Sequence, residues 1–256
     1  MMKLKYISDA HIDFEEFKFI SDKKAVLVIA GDLTNGITGK KPLILDFLKD
    51  ACEKHKYVLM VLGNHDYYDY AASMDEIRQF YESLEFDNFM LLTAGVHTVI
   101  DGVMFVGDTL WTDLSTTAHA RNAERCMNDY RMIQYHVGHK LRAKNTTDMH
   151  RHQTEALKAS LAHGKRIGYT TVLVTHHPVH KAFLCPNRYE DDVSFAYVTH
   201  NEELLKNVDI HIAGHTHKVL LEMDEETNTL LLSNAAGYYN DVFKFDKDTF
   251  IYIDRG

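Results

Sequence analysis

Seven short apolar runs set the strongest limit on how this chain can fold: Leu4–Ser8, Ala25–Ala30, Tyr57–Leu62, Met104–Val106, Thr171–Val174, Ile210–Ala213 and Leu230–Leu232. Each is shorter than a buried helix. Most carry aliphatic or β-branched side chains at successive positions, so both faces must be covered. Amphipathic helical patterns lie between them. Leu43, Ile44, Phe47, Leu48, Ala51 and Cys52 repeat at helical spacing. Ser73-x-x-Glu76 reads as a capping box opening a helix through Leu84, with Ile77, Phe80, Tyr81 and Leu84 on one face. Thr199-x-x-Glu202 reads as another box, ahead of Leu204 and Leu205. Strands alternating with helices define an α/β layered domain. In the last third, Val219–Met223, Thr229–Ser233, Val242–Phe245 and Phe250–Ile253 are separated by acidic turn-like segments and read as antiparallel hairpins.

Residues 1–256 read as a single domain, because three prolines and the lack of a Pro/Gly linker leave nothing to divide the chain. One stretch stands apart. Residues 119–166 hold ten Lys/Arg against four Asp/Glu, in a chain of formal net charge −9. They lack strand-like runs and read as a mainly helical, cap-like insertion, with a helix from Arg151 to His163. Such a face is either simply solvated or attracts an anionic substrate. The net charge argues against a surface that is cationic overall, while a local basic patch leaves nucleic acid open as a partner. Cys52, Cys126 and Cys185 are odd in number and far apart, with neither zinc-ribbon spacing nor a disulfide framework. They fit a reducing cytoplasm. Met1–Ile20 mixes apolar with charged residues, unlike a secretory segment, and no apolar run is long enough to span a bilayer. No membrane partner is expected, and the oligomeric state is open.

Chemistry gathers where the strands end. The runs finish in Asp9-Ala-His11, Gly31-Asp32, Gly63-Asn64-His65-Asp66, Thr175-His176-His177-Pro178 and Gly214-His215-Thr216-His217. In an α/β sheet the carboxyl ends of strands are where ligands bind, so groups far apart in sequence should meet there. Asp9 and His11, like His215 and His217, are two apart, which points both members of each pair to one side of an extended segment. The glycines let the backbone approach closely. Asp9, His11, Asp32, Asn64, His176, His215 and His217 make seven candidate metal ligands. That is too many for one tetrahedral ion and suits two ions bridged by a carboxylate. Asp32 is the best bridge, since its strand lies between the other two N-terminal blocks. Oxygen mixed with imidazole suits Mn, Fe, Zn or Ni rather than Ca, and the lack of Cys disfavours a structural zinc site.

These blocks resemble the calcineurin-like metallophosphoesterase superfamily, in its bacterial phosphodiesterase-type branch. The resemblance runs from Asp9 to Tyr238 and departs most in residues 119–166. It implies a four-layer fold, a central β-sandwich flanked by helices, with the metals at one edge. It also implies a ligand split: Asp9, His11, Asp32 and His217 on one ion, and Asp32, Asn64, His176 and His215 on the other. His65 then falls outside the ligand set, and His176 rather than its neighbour His177 faces the metal. The implied cofactor is a pair of divalent ions, manganese first and Fe, Zn or Ni as alternatives. Two such ions acidify a shared water, and the resulting hydroxide attacks phosphorus in line with the leaving oxygen. The catalytic candidates are His65, as proton donor to that oxygen, and Asp66, as acceptor of the other His65 N–H.

The expected activity is that of a metal-dependent phosphoric ester hydrolase, foremost a phosphodiesterase acting on a small nucleotide-type substrate. His177, Arg121, Arg125 and Arg131 are candidate substrate contacts, and Arg142 belongs to the same basic group. His180 either lines the site or caps the following turn. Thr109–Thr112 and Ser233–Tyr238 are expected to edge the cleft, with Trp111 a packed aromatic. A phosphomonoesterase, including a protein phosphatase, is the alternative, weakened because Val61-Leu62 rather than Arg precedes the Gly-Asn-His block. A nuclease remains open. A non-catalytic scaffold is disfavoured because all seven ligands and His65 are present.

Overall fold

Strand β1 (Met2–Ile7) leads into β2 (Asp22–Ala30), helix α1 (Lys41–Lys54), β3 (His55–Val61), α2 (Met74–Glu82) and β4 (Phe89–Leu91). Then follow β5 (His97–Ile100), β6 (Val103–Asp108), α3 (Thr117–Cys126), α4 (Asp129–Met132), β7 (Gln134–His136), β8 (His139–Lys140) and α5 (Ala143–Ile167). The chain closes with β9 (Thr170–Thr175), β10 (Ile210–Ala213), β11 (Leu220–Asp224), β12 (Thr229–Ser233) and β13 (Phe250–Ile253). This computed structural model describes residues 1–14, 16–185, 193–238 and 244–254.

Two sheets pack face to face. The first has the order β13-β1-β2-β3-β4, and the second the order β11-β12-β10-β9-β6-β5. In each, the central strands run parallel and an antiparallel strand closes an edge, as β13 does beside β1 and β11 beside β12. Side chains on alternate strand positions explain the three cores. Leu4, Tyr6, Val26, Val28, Leu59 and Val61 meet Phe105, Val172, Val174 and Ile212 between the sheets. The opposite residues, Leu27, Ile29, Val58 and Met60, bury Ile44, Leu48 and Ile77 of α1 and α2. Met104, Val106 and Leu173 bury Leu157 and Leu161 of α5. The result is helix, sheet, sheet, helix, a mixed α/β sandwich. No helix among the described residues is long and apolar enough to cross a membrane.

The Ser73–Glu76 capping box forms, and α2 stops at Glu82 rather than Leu84. Thr199 caps nothing: the 3-10 turn Glu202–Asn207 starts after Asn201 without a side-chain cap. Helix α5 starts eight residues before the expected Arg151. Its early buried face is Thr146, His150 and Thr154, so that half carries no apolar stripe to read. Those groups are satisfied locally, as by the 2.6 Å contact of His150 Nδ1 with the Trp111 carbonyl. The basic segment also contains the small hairpin β7–β8, which its polar sequence hides. Near the C-terminus β11 and β12 form the expected hairpin, whereas β13 pairs with β1. Of the run Val242–Phe245, the first two residues lie outside the described ones, and Lys244 and Phe245 carry no strand.

Candidate metal centre

Because β1, β2 and β3 are adjacent and parallel, as are β9 and β10, their carboxyl ends share one end of the sandwich. Asp9 and His11 follow β1, Asp32 follows β2, Asn64 and His65 follow β3, His176 follows β9, and His215 and His217 follow β10. The five polar blocks therefore converge, as their places behind the strands implied, though Asp9, His11, His215 and His217 do not lie on the extended segments that the two-residue spacing suggested. They do so in a strained backbone: Asp9 (φ 51°), His11 (φ 40°), Asp32 (φ 58°), His215 (φ 67°) and His217 (φ 53°) are all left-handed. Residues with a Cβ avoid that region, and clusters of them persist where surrounding structure enforces them. Here the enforcement is visible. Asp9 N donates to the Gly31 carbonyl at 2.9 Å, Gly237 N to the Asp9 carbonyl at 2.9 Å, and His215 N to Asp9 Oδ1 at 3.1 Å. Gly63 is tighter still: a Cβ there would lie 2.1 Å from Asp32 Oδ1.

The ligand atoms fall into overlapping groups. Asp9, His11 and His217 offer atoms within 4.8 Å of one another, and so do Asp32, His176 and His215. Asp32 also groups with His11 and His65, which sets its carboxylate between the two clusters. Asn64 Oδ1 joins the second cluster, 2.9 Å from His176 Nε2 and 3.0 Å from His215 Nδ1. In the first, His11 Nε2 and His217 Nε2 face each other at 3.5 Å, and Asp9 Oδ1 lies 3.4 Å from His217 Nε2. Buried carboxylate and amide oxygens converging with imidazole nitrogens at these distances make the donor set that divalent transition-metal cations take. The residues present fit a metal centre.

The electrostatics agree. Burial opposes ionisation of Asp32, yet the His176 charge, ahead of that of His65, holds its carboxyl well below the usual range. Burial likewise works against His176, and Asp32 outweighs it, lifting the imidazole to about 9. Asp9 is lowered against burial by His217. His215 is pushed well down by burial and by the neighbouring His177 and His176. A cation among these carboxylates would play the part that the imidazolium plays alone.

His65 occupies the rim, half-buried, stacked on Tyr68 with ring centroids 4.2 Å apart. Its Nδ1 meets Asn35 Oδ1 at 2.7 Å, and its Nε2 lies 3.4 Å from the Tyr238 hydroxyl. Asn35 is held in turn by Asp13 at 3.0 Å, which Lys40 pairs at 2.8 Å. The partner expected for His65 was Asp66, and that expectation is corrected. Asp66 is fully buried and accepts the backbone N–H groups of Asp32 (2.9 Å), Gly63 (2.7 Å), Leu33 (2.9 Å) and Thr34 (3.2 Å). It ties the β2 and β3 turns together and has no acceptor left to spend on the ring. Burial and then the Asp32 charge push its carboxyl up to about 7.

The candidate substrate contacts separate. His177 is buried, its Nδ1 3.3 Å from the Thr109 carbonyl, and burial pushes it down to about 3. It packs on Trp111, itself buried, at a centroid distance of 5.3 Å, and on His215 at 4.2 Å. His180 caps the following turn through its Nδ1, 3.1 Å from Ala182 N. Arg121, Arg125 and Arg131 are exposed, and Arg131 turns back onto the Arg125 carbonyl and Asn128. None of these five lines the cleft above the ligands. That cleft, of about 370 Å³, is lined by Asn64, His65, Tyr68, Met127, Asn128, Tyr197 and Tyr238, among others. Asn35, Tyr68 and Asp129 were not singled out from sequence. Asp129 receives Asn64 Nδ2 at 2.8 Å and the Tyr68 hydroxyl at 2.6 Å. Nothing local marks an Asp 65 residues away as a neighbour of Asn64.

Sandwich and site together define a phosphoesterase of the metal-dependent α/β class. Residues 2–219 match the calcineurin-like phosphoesterase family, and the chain belongs to it. Among solved structures it is similar to the phosphopantetheinyl hydrolase of Mycobacterium tuberculosis, with 17% identity over 92% of this chain and 89% of that one, and a TM-score of 0.64. A putative 5'-nucleotidase from Staphylococcus aureus shares 17% identity over 90% of this chain and 48% of its own, with a TM-score of 0.52. A dimetal phosphatase from Danio rerio shares 14% over 91% and 86%, with a TM-score of 0.51. At these identities the likeness is one of fold. None of the curated proteins matches the chain in sequence.

Proposed function

We propose that this chain is a phosphodiesterase that uses two divalent ions to hydrolyse a small nucleotide-type substrate. The observation that carries it is the placement of Asp32 between two ligand clusters, with His65 beside them at the rim of the cleft. Asp9, His11, Asp32 and His217 would hold one ion, and Asp32, Asn64, His176 and His215 the other. When bound, such ions acidify water and neutralise charge on phosphate oxygens. Manganese is the first choice, with Fe, Zn or Ni as alternatives.

The side chains do the rest. Asn35 Oδ1 accepts the Nδ1–H of His65 and leaves Nε2 to face the cleft, where it delivers a proton to the leaving oxygen. The rings of Tyr197 and Tyr238 offer faces on which a base stacks. No Arg or Lys is among the described residues lining the cleft, which suits a singly charged diester better than a doubly charged monoester. The basic segment 119–166 then acts by attraction from outside. Three free thiols fit a cytoplasmic setting.

The test is a panel of cyclic and linear nucleotides, nucleic acid, phosphopeptides and paired bis-aryl and mono-aryl phosphates, run on Mn-loaded protein. Turnover of the bis-aryl ester and of a small nucleotide diester above the rest is expected. A strong preference for the mono-aryl ester or a phosphopeptide overturns the diester assignment. Best turnover of nucleic acid replaces the small substrate with a polymer.

A further inference from the structure

The segment that walls the cleft also reaches its floor. Met127 and Asn128 line the cleft between α3 and α4, and the next residue, Asp129, turns inward. It is 4% exposed, with Oδ1 2.8 Å from Asn64 Nδ2 and 2.6 Å from the Tyr68 hydroxyl. The Tyr68 oxygen also accepts from Asn64 Nδ2 at 3.2 Å. Both hydrogens of the Asn64 amide nitrogen are therefore taken on one side. Its carbonyl oxygen must face the other side, where His176 Nε2 and His215 Nδ1 lie at 2.9 and 3.0 Å.

A side-chain amide can turn over and exchange its oxygen for its nitrogen. A carboxylate has only acceptors, so it rejects the turned amide, which would set oxygen against oxygen. A tyrosine hydroxyl alone does not discriminate, since it both donates and accepts. We infer that Asp129 is a positioning residue: it locks the Asn64 amide with its oxygen toward His176 and His215, and so ties the basic segment to the second ion. This rests on reading Asn64 as a ligand of that ion.

Stepwise Mn titration by calorimetry, with metal analysis and melting temperature, tests it on the full chain. Wild type is expected to take two equivalents. Asp129→Ala should keep the first affinity and weaken the second about 10- to 100-fold, the usual cost of losing a group that orients a ligand. Asp129→Asn can accept with Oδ1 or donate with Nδ2, so it no longer rejects the turned amide, and should weaken the second ion about three- to tenfold. Unchanged second-ion affinity in Asp129→Ala overturns the inference, and so does equal weakening of both ions. If Asp129→Ala does not fold, Asp129→Asn decides alone: wild-type affinity for the second ion overturns the inference. Asn64→Ala separates the two readings. If it keeps the second ion, Asn64 is no ligand, and the inference falls with that reading rather than by itself.

Discussion

The floor and the outer wall of the cleft are built in opposite ways. The floor is made of strand ends. Five of its seven candidate ligands sit on left-handed backbone, beside glycines that admit no Cβ, and its turns are tied to one another by backbone and carboxylate hydrogen bonds. The wall, from α3 to the β7–β8 hairpin, is made of short elements with exposed arginines. Asp129 crosses from one to the other, through its hydrogen bond with Asn64. Rigid strand ends hold a reaction geometry. Short elements can change without disturbing it, which makes them the place where a substrate is chosen.

Breaking the floor should have the largest effect. Asp32→Ala removes the carboxylate shared by both clusters. Both ions should be lost on metal analysis, and turnover should fall by about 10⁴-fold or more, beyond what a proton donor alone supplies. His65→Ala should cost about 10²- to 10³-fold in kcat while two equivalents of metal remain. Full turnover in that variant would remove His65 from the reaction.

Gly63→Ala probes the floor without replacing a ligand. A Cβ 2.1 Å from Asp32 Oδ1 must displace the carboxylate. Thermal melting should show a loss of about 1–3 kcal/mol, with weaker metal binding. An unchanged melting temperature would mean that the turns are looser than their contacts imply.

Acid should attack the packed body before the wall. Burial holds His55 and His150 below their ordinary value of 6.5, and takes His211 down to about 3. In that window the unfolded chain binds protons that the folded one does not. The stability that these three histidines contribute is therefore full above pH 6.5 and falls as the pH drops below it, for His211 through the range toward 3. Between pH 6.5 and about 3, His211 contributes a slope of about 1.4 kcal/mol per pH unit. Replacing His211 with Gln should flatten the dependence of the unfolding free energy on pH by that amount, and an unchanged slope would exclude it as a source.

The smallest effect belongs to the wall. Arg121→Glu with Arg125→Glu should raise KM about two- to threefold at low salt and not at high salt, since exposed charges outside the cleft attract at a distance and are screened. A large, salt-insensitive rise would mean that they touch the substrate.

The same contrast governs what could be read beforehand. The floor was legible: each block is a local string behind an apolar run, and Asp-x-His or Gly-His-x-His carries its chemistry wherever the strand ends. The role of Asp66 was misread because adjacency in sequence says little about direction in a 3-10 turn, where His65 points out and Asp66 points in. The start of α5 was missed because its buried face is threonine and histidine rather than leucine.

The order of strands and polar blocks, set by local periodicity and residue chemistry, determined the class of fold, the family and the set of candidate ligands. Tertiary packing alone decided who stands behind them. Asn35 behind His65, Asp66 beneath the turns and Asp129 behind Asn64 are contacts made across 30, 33 and 65 residues of chain. Such a partner is chosen by which surfaces come together when the sheets close, and no local spacing records that.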